Sequence, residues 1–194
     1  AALLISSRGF RGATTREIAD RVGIRQPSLF NHFPSKQAIL TELLFFDLHV
    51  PADVADQLAT AAGSPAVRLM SYTLWDLSWY QDMPFDLRGL HEDLVAMPGL
   101  ESFQKDLERW QRAIESLLSQ GLKAAEFRPD ALPFVPAILD TLSWQFARSS
   151  HHAQPGQPRL VTQDAACLLM RGLLARPQRT SQVLQEARKA VVDV

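Results

Sequence analysis

Four side chains within a dozen residues are of types that read base-pair edges. Gln26 carries an amide that can pair bidentately with adenine. Arg16 and Arg25 carry guanidinium forks that suit guanine, and Pro27 offers an apolar face to a thymine methyl. Around them stand Thr14, Thr15, Ser28, Asn31, His32 and Lys36, whose hydroxyl, amide, imidazole and ammonium groups suit phosphate oxygens. Such contacts hold a protein in register on a duplex without reading its sequence. Lys36 has a further reason, because it falls at a helix N-terminus, where backbone N–H groups also favour an anion. Any one of these residues reads equally well as solvated surface, and His32 as a local helix cap. As a set at this spacing they point to contact with duplex DNA.

The elements that must position them are legible on either side. Thr14 and Glu17 have the spacing of a capping box, which opens a helix. Ile18, Ala19 and Val22 repeat at helical spacing and form its buried stripe. Gly23 ends it, since a left-handed C-terminal residue suits glycine. Ile24 plugs the turn. Pro27 lies in the first turn of a second helix, where a missing N–H costs nothing. Leu29, Phe30 and Phe33 are its apolar positions, Pro34 ends it, and Ser35 caps the next helix. Two short helices joined by a glycine-containing turn make a helix-turn-helix unit, whose second helix enters the major groove.

Gly9-Phe10, Thr14-Thr15, Ile18-Ala19, Gly23-Ile24, Leu29-Phe30, His32-Phe33 and Lys36 stand as in the DNA-binding domain of the TetR-type transcriptional regulators. The first fifth of the chain closely resembles that domain, while the remainder is similar to the family in length and helical pattern only. One residue departs: the family usually has tyrosine at the position of Phe30, and the tyrosine hydroxyl typically touches a phosphate. That contact must be missing or replaced here. The chain begins Ala-Ala, partway through the first helix in family terms, so a further N-terminal piece is expected.

Charge agrees with a two-part chain. Residues 1–40 hold six basic side chains against two acidic ones, whereas the rest holds fourteen against nineteen. A basic head on an acidic body is expected of a phosphate-binding module joined to a domain that does not touch DNA. The 194 residues, 46% of them hydrophobic, suffice for a real core. Cys167 is the single cysteine, which excludes an internal disulfide, and its neighbours Ala165, Ala166, Leu168 and Leu169 suggest a small buried residue. No apolar run nears the ~18 residues of a membrane span. No signal peptide, nucleophile elbow, phosphate-cradling glycine loop or zinc-binding helix pair is present. His151-His152 lacks the further ligands a metal needs. An enzyme, a cofactor and a metal are therefore not expected, and the cytoplasm is the expected compartment.

Beyond the head, apolar residues recur at helical spacing between proline, glycine and serine punctuation, with no alternating strand pattern. The expected fold is all-α: a helix-turn-helix domain over residues 1–47, and a larger helical ligand-binding and dimerisation domain over 48–194. Tyr72, Trp75, Trp79, Phe103, Trp110 and Phe134 are candidates to line an apolar ligand cavity, with His91 as a polar anchor. Each also reads as ordinary core. The segments 130–148 and 160–175 are long and apolar on more than one side. By the family's use of its last long helices, Leu139, Leu142, Phe146, Ala165, Leu169 and Gly172 are expected in a dimer interface. The resemblance implies a homodimeric regulator of operator DNA, most simply a repressor, released when a small apolar or aromatic effector changes the spacing of its heads. The helix over 35–49 would be the mechanical link. The rival reading is a small-molecule binding protein or enzyme whose head has lost DNA affinity.

Overall fold

The computed structural model describes residues 1–83, 99–151 and 160–190, with backbone only at Ser150 and His151. The fold is all-α. Among the described residues the only β feature is an isolated antiparallel bridge between Phe127 and Leu174. The chain divides into two compact units, Ala1–Val50 with Pro84–Leu107, and Pro51–Met83 with Glu108–Val194. The first unit thus takes in a later segment that a single cut near residue 47 leaves out.

In the first unit, α1 (Ala2–Gly12) runs through a kink at Gly9. Gly9 adopts φ +71°, which bends the helix and lets it continue to Gly12. Then follow α2 (Thr15–Val22), α3 (Gln26–His32) and α4 (Lys36–Leu44). Ile5, Ile18, Ala19, Leu29, Leu40 and Leu44 are buried among them. The expected helix over 35–49 changes pitch at its end. Residues Phe45–His49 form a π-helical turn that runs directly into α5 (Val50–Thr60). Pro51 gives the reason: in a regular helix its ring would meet the carbonyl of Asp47, and the wider turn lies immediately before it. Within this turn the Phe45 and His49 rings stack at 4.3 Å. His49 Nδ1 lies 3.0 Å from both carboxyl oxygens of Asp106, near the start of α7 (Glu101–Lys123).

The second unit holds most of α5, α6 (Pro65–Asp82), the greater part of α7, α8 (Val135–His151), α9 (Thr162–Leu173) and α10 (Thr180–Ala190). Its core gathers Leu69, Met70, Tyr72, Ile114, Leu117, Phe127, Leu139 and Met170. Buried Arg68 caps α5. Its guanidinium donates to the carbonyls of Leu58 and Ala59 at 3.1 and 2.9 Å and to Gln120 Oε1 at 2.6 Å. Burial holds its pKa below the usual arginine range, a shift partly opposed by the Glu126 carboxylate. That carboxylate accepts from Ser64 Oγ at 2.8 Å and Ala66 N–H at 2.9 Å, placing negative charge at the N-terminus of α6. Pro136 lies in the first turn of α8, where it removes no helical hydrogen bond.

Candidate nucleic-acid interface

The helix-turn-helix is held by contacts internal to the head. Thr14 Oγ1 accepts from Glu17 N–H at 3.2 Å, and Glu17 Oε2 accepts from the Thr14 N–H at 3.1 Å and the Thr14 hydroxyl at 2.8 Å. These bonds, with a lesser contribution from Arg8 at 2.5 Å, hold the Glu17 carboxyl below its ordinary range. Gly23 is left-handed, at φ 79°, and its N–H closes on the carbonyls of Ala19 and Asp20. The Ile24 N–H returns to Ala19 O at 3.0 Å. Helix α3 then begins at Gln26 with Pro27 in its first turn, and Leu29 is its buried residue. Arg16, Arg25, Pro27, Ser28, Asn31 and His32 are all exposed. Phe30 is 42% exposed on the same helix, so no hydroxyl is presented where the family usually has one.

Four of the expected DNA contacts have partners inside the head. The Thr14 hydroxyl spends its proton on Glu17, which makes it a cap rather than a free donor. Gln26 Nε2 donates to Thr15 Oγ1 at 2.9 Å. Lys36 is the clearest departure. Its ammonium donates to Phe10 O at 2.7 Å and Ala13 O at 2.9 Å and lies 4.4 Å from the centre of the Phe10 ring. A cation is disfavoured at the start of its own helix but favoured at the end of another, where carbonyls lack partners. Lys36 therefore caps α1, and two of its three N–H groups are committed there. Replacing it with methionine keeps the stem and removes these bonds. The head is expected to lose about 1.5–3 kcal/mol, as for hydrogen bonds to a charged group, in a thermal or urea melt. An unchanged midpoint would deny this capping role.

In the second unit, Tyr72, Trp75, Trp79 and Trp110 come together. The Trp75 and Trp79 rings stack at 5.3 Å, Tyr72 and Trp75 are 6.4 Å apart, and Trp110 Nε1 donates to the Tyr72 hydroxyl at 2.5 Å. The polar end of this cluster was not among the expected site residues. The Tyr72 hydroxyl donates to Asp76 Oδ1 at 2.9 Å, and Ser143 Oγ lies 2.5 Å from Asp76 Oδ2, so a buried carboxyl joins α6, α7 and α8. An (i, i+4) Tyr-Asp pair on an apolar helix was the available signal. Burial, with the Asp76 charge second, raises the Tyr72 phenol well above its usual range. Two other expected lining residues are elsewhere: Phe103 is buried in the first unit, and Phe134 is 63% exposed on the outside of the second. His91 lies outside the described residues.

The expected dimer residues divide into two sets. Leu139 and Phe146 are 0% and 1% exposed and pack into the core of their own unit, and Leu169 is also buried. Leu142, Ala165 and Gly172 line an open apolar groove of about 350 Å³, together with Phe134, Ile138 and Leu168, and the buried Leu169 also borders it. The missed residues follow helical spacing from ones already singled out: 134, 138 and 142 on one side, and 165, 168 and 172 on the other. A second groove shares Leu142, Ala165 and Leu168 and extends to Leu160 and Val161. Cys167 is half-buried, and its thiol is raised above the ordinary range chiefly by desolvation. Among the described residues no group of three histidine, cysteine or acidic side chains is placed to hold a metal, and no helix is long and apolar enough to cross a membrane.

The family model described as bacterial regulatory proteins, tetR family, matches residues 1–43. The HTH-type transcriptional repressor KstR2 of Rhodococcus jostii is 48% identical over 140 residues, covering 67% of this chain and 65% of the relative. KstR2 of Mycobacterium tuberculosis is 27% identical over 182 residues, covering 89% and 88%. A solved structure described as the ketosteroid transcriptional regulator KstR2 of that organism superposes with a TM-score of 0.64 at 23% identity, covering 89% of this chain and 90% of the other. The crystal structure of Mycobacterium smegmatis AmtR gives a TM-score of 0.78 at 23% identity, covering 97% and 89%. At these identities the solved structures speak for the fold.

Proposed function

The chain belongs to the TetR-type transcriptional regulators, which are DNA-binding proteins and not enzymes, and on that premise we propose that it is a homodimeric repressor released from its operator by a small apolar or aromatic effector. The observation that carries the DNA half is the exposed face of the head. Arg16, Arg25, Pro27, Ser28, Asn31 and His32 are held outward by a turn that the Gly23 and Ile24 N–H groups close onto Ala19 and Asp20, with Gln26 at the leading end of α3. Gln26, Arg16 and Arg25 read bases, while Thr15, Ser28, Asn31 and His32 hold phosphates. Operator binding places this work in the cytoplasm.

The effector half rests on the aromatic cluster of the second unit. Trp75, Trp79 and Trp110 offer an apolar wall beside the polar groups of Tyr72 and Asp76. One relative is described as a ketosteroid transcriptional regulator, and a ketosteroid pairs a large apolar skeleton with carbonyl acceptors, which is the chemistry such a wall would favour. All four tryptophans lie outside the helix-turn-helix, so a change in intrinsic fluorescence on adding a ketosteroid would report on the body. The same compound should lower DNA affinity by the coupling free energy, about 1–3 kcal/mol, and DNA should lower its affinity equally.

The test begins with a duplex selected by the protein from a random-sequence library. Gln26→Ala is expected to relax base preference by about 1–3 kcal/mol per half-site. Affinity of the parent protein should fall with salt at a slope of about 0.9 per phosphate contacted. Equal loss on selected and random duplexes would remove Gln26 as a base reader. No binding at low salt would favour the rival reading, in which a head lacking the hydroxyl at Phe30 has lost DNA affinity.

A further inference from the structure

We propose that Thr15 is a positioning residue for base reading, its hydroxyl fixing the amide of Gln26 in the sense that suits adenine. This rests on the proposed role of Gln26 and assigns Thr15 a task beyond holding a phosphate. The two residues are the first of α2 and α3, eleven positions apart in sequence, and their side chains meet at 2.9 Å. Among the described residues no other hydrogen bond engages either side chain. Thr15 and Gln26 are both half-buried, so the contact is partly shielded from water.

The logic lies in the protons. A threonine hydroxyl has one proton and accepts through its oxygen. When that proton is donated to a DNA phosphate, the oxygen can only accept from the protein side. Gln26 must then turn Nε2, and not Oε1, toward Thr15. One Nε2 proton is spent there, and the second proton and Oε1 form the donor–acceptor edge that matches adenine N7 and N6. With the amide reversed, its NH2 group would face the adenine amino group, two donors opposed. Phosphate contact and base readout are thereby coupled through a single oxygen. The backbone register set at Thr15 selects the amide sense at Gln26.

The test uses the full chain, the selected duplex, and variants of that duplex with each A·T pair changed singly to G·C. Gln26→Ala first identifies the pair whose discrimination collapses. At that pair, Thr15→Val should lower the A·T over G·C preference about five- to tenfold, a large part of what one bidentate contact supplies. Thr15→Ser should retain the preference. In the Gln26→Ala background, Thr15→Val should change discrimination no further. A readout without DNA guards against misfolding: the Gln26 side-chain NH2 resonances should shift in Thr15→Val and not in Thr15→Ser, with the rest of the spectrum conserved. Equal weakening on every duplex by Thr15→Val, with discrimination intact, would make Thr15 a phosphate contact only and overturn the inference while leaving Gln26 a reader. Discrimination that survives Gln26→Ala at every pair would overturn both.

Discussion

Leu168→Asp is expected to leave the protein folded and to split the proposed homodimer. Leu168 is 72% exposed, and its neighbours around the groove, Phe134 at 63% and Ile138 at 42%, are exposed with it. Scattered apolar residues on a surface need no explanation, but a contiguous apolar groove marks an interaction site. In the isolated subunit a carboxylate at 168 stays in water, where surface changes cost within about 0.5 kcal/mol. Buried without a partner between subunits, it costs about 3–5 kcal/mol. The dimer dissociation constant should therefore rise roughly two to four orders of magnitude, at about 1.4 kcal/mol per tenfold. Operator affinity should fall with it, because a helix-turn-helix reads two half-sites only as a dimer. Leu139→Asp is the contrasting variant: with Leu139 fully buried in its own unit, that change should unfold the protein rather than dissociate it. Sedimentation with a thermal melt separates the two. A Leu168→Asp protein that remains wholly dimeric at micromolar concentration would move the interface elsewhere.

Asp76→Ala should cost the body about 1–3 kcal/mol, because it strips the acceptor from the buried Tyr72 hydroxyl, while the Ser143 hydroxyl keeps the Leu139 carbonyl at 2.8 Å. The loss is registered across three helices, α6, α7 and α8, since the Tyr72 hydroxyl also accepts from the Trp110 indole. The melting midpoint and the Trp110 emission should therefore move together. Asp76→Asn keeps an acceptor and should cost less. The phenol adds a pH signature. Its folded pKa is raised, so its contribution is complete below tyrosine's ordinary value near 10 and is lost as pH climbs from there toward the folded value. Tyr72→Phe should flatten that part of the stability profile. If the Asp76→Ala midpoint is unchanged, the buried carboxyl holds nothing together.

The helix-turn-helix was legible because its determinants are local. Thr14 meets Glu17 three residues on, Gly23 closes on Ala19 and Asp20, and Pro27 starts a helix by its own fixed φ. Each interaction lies within one helical turn, so residue order alone implies it, and residues 1–43 were recognisable for the same reason. What exceeds one turn was decided by packing. Lys36 reaches back 26 residues to Phe10 and 23 to Ala13, and nothing in its immediate surroundings tells a cap for α1 from a phosphate contact. Gln26 and Thr15 meet because the turn brings two helix starts together.

The body shows the limit most clearly. Helices α8 and α9 are apolar on two sides, so periodicity finds the stripes without telling which of them faces inward. Leu139 and Leu169 face the core of their unit, while Ile138 and Leu168, one position earlier in each helix, face out. A single residue turns a helix by about 100°, enough to exchange a core position for a surface one. That choice was made when α6 and its neighbours took one stripe for the core. The sequence by itself determined that these helices form and that each has two apolar stripes; only tertiary packing decided which stripe is buried and which is left exposed, because a helical pattern specifies a face but not the partner that covers it.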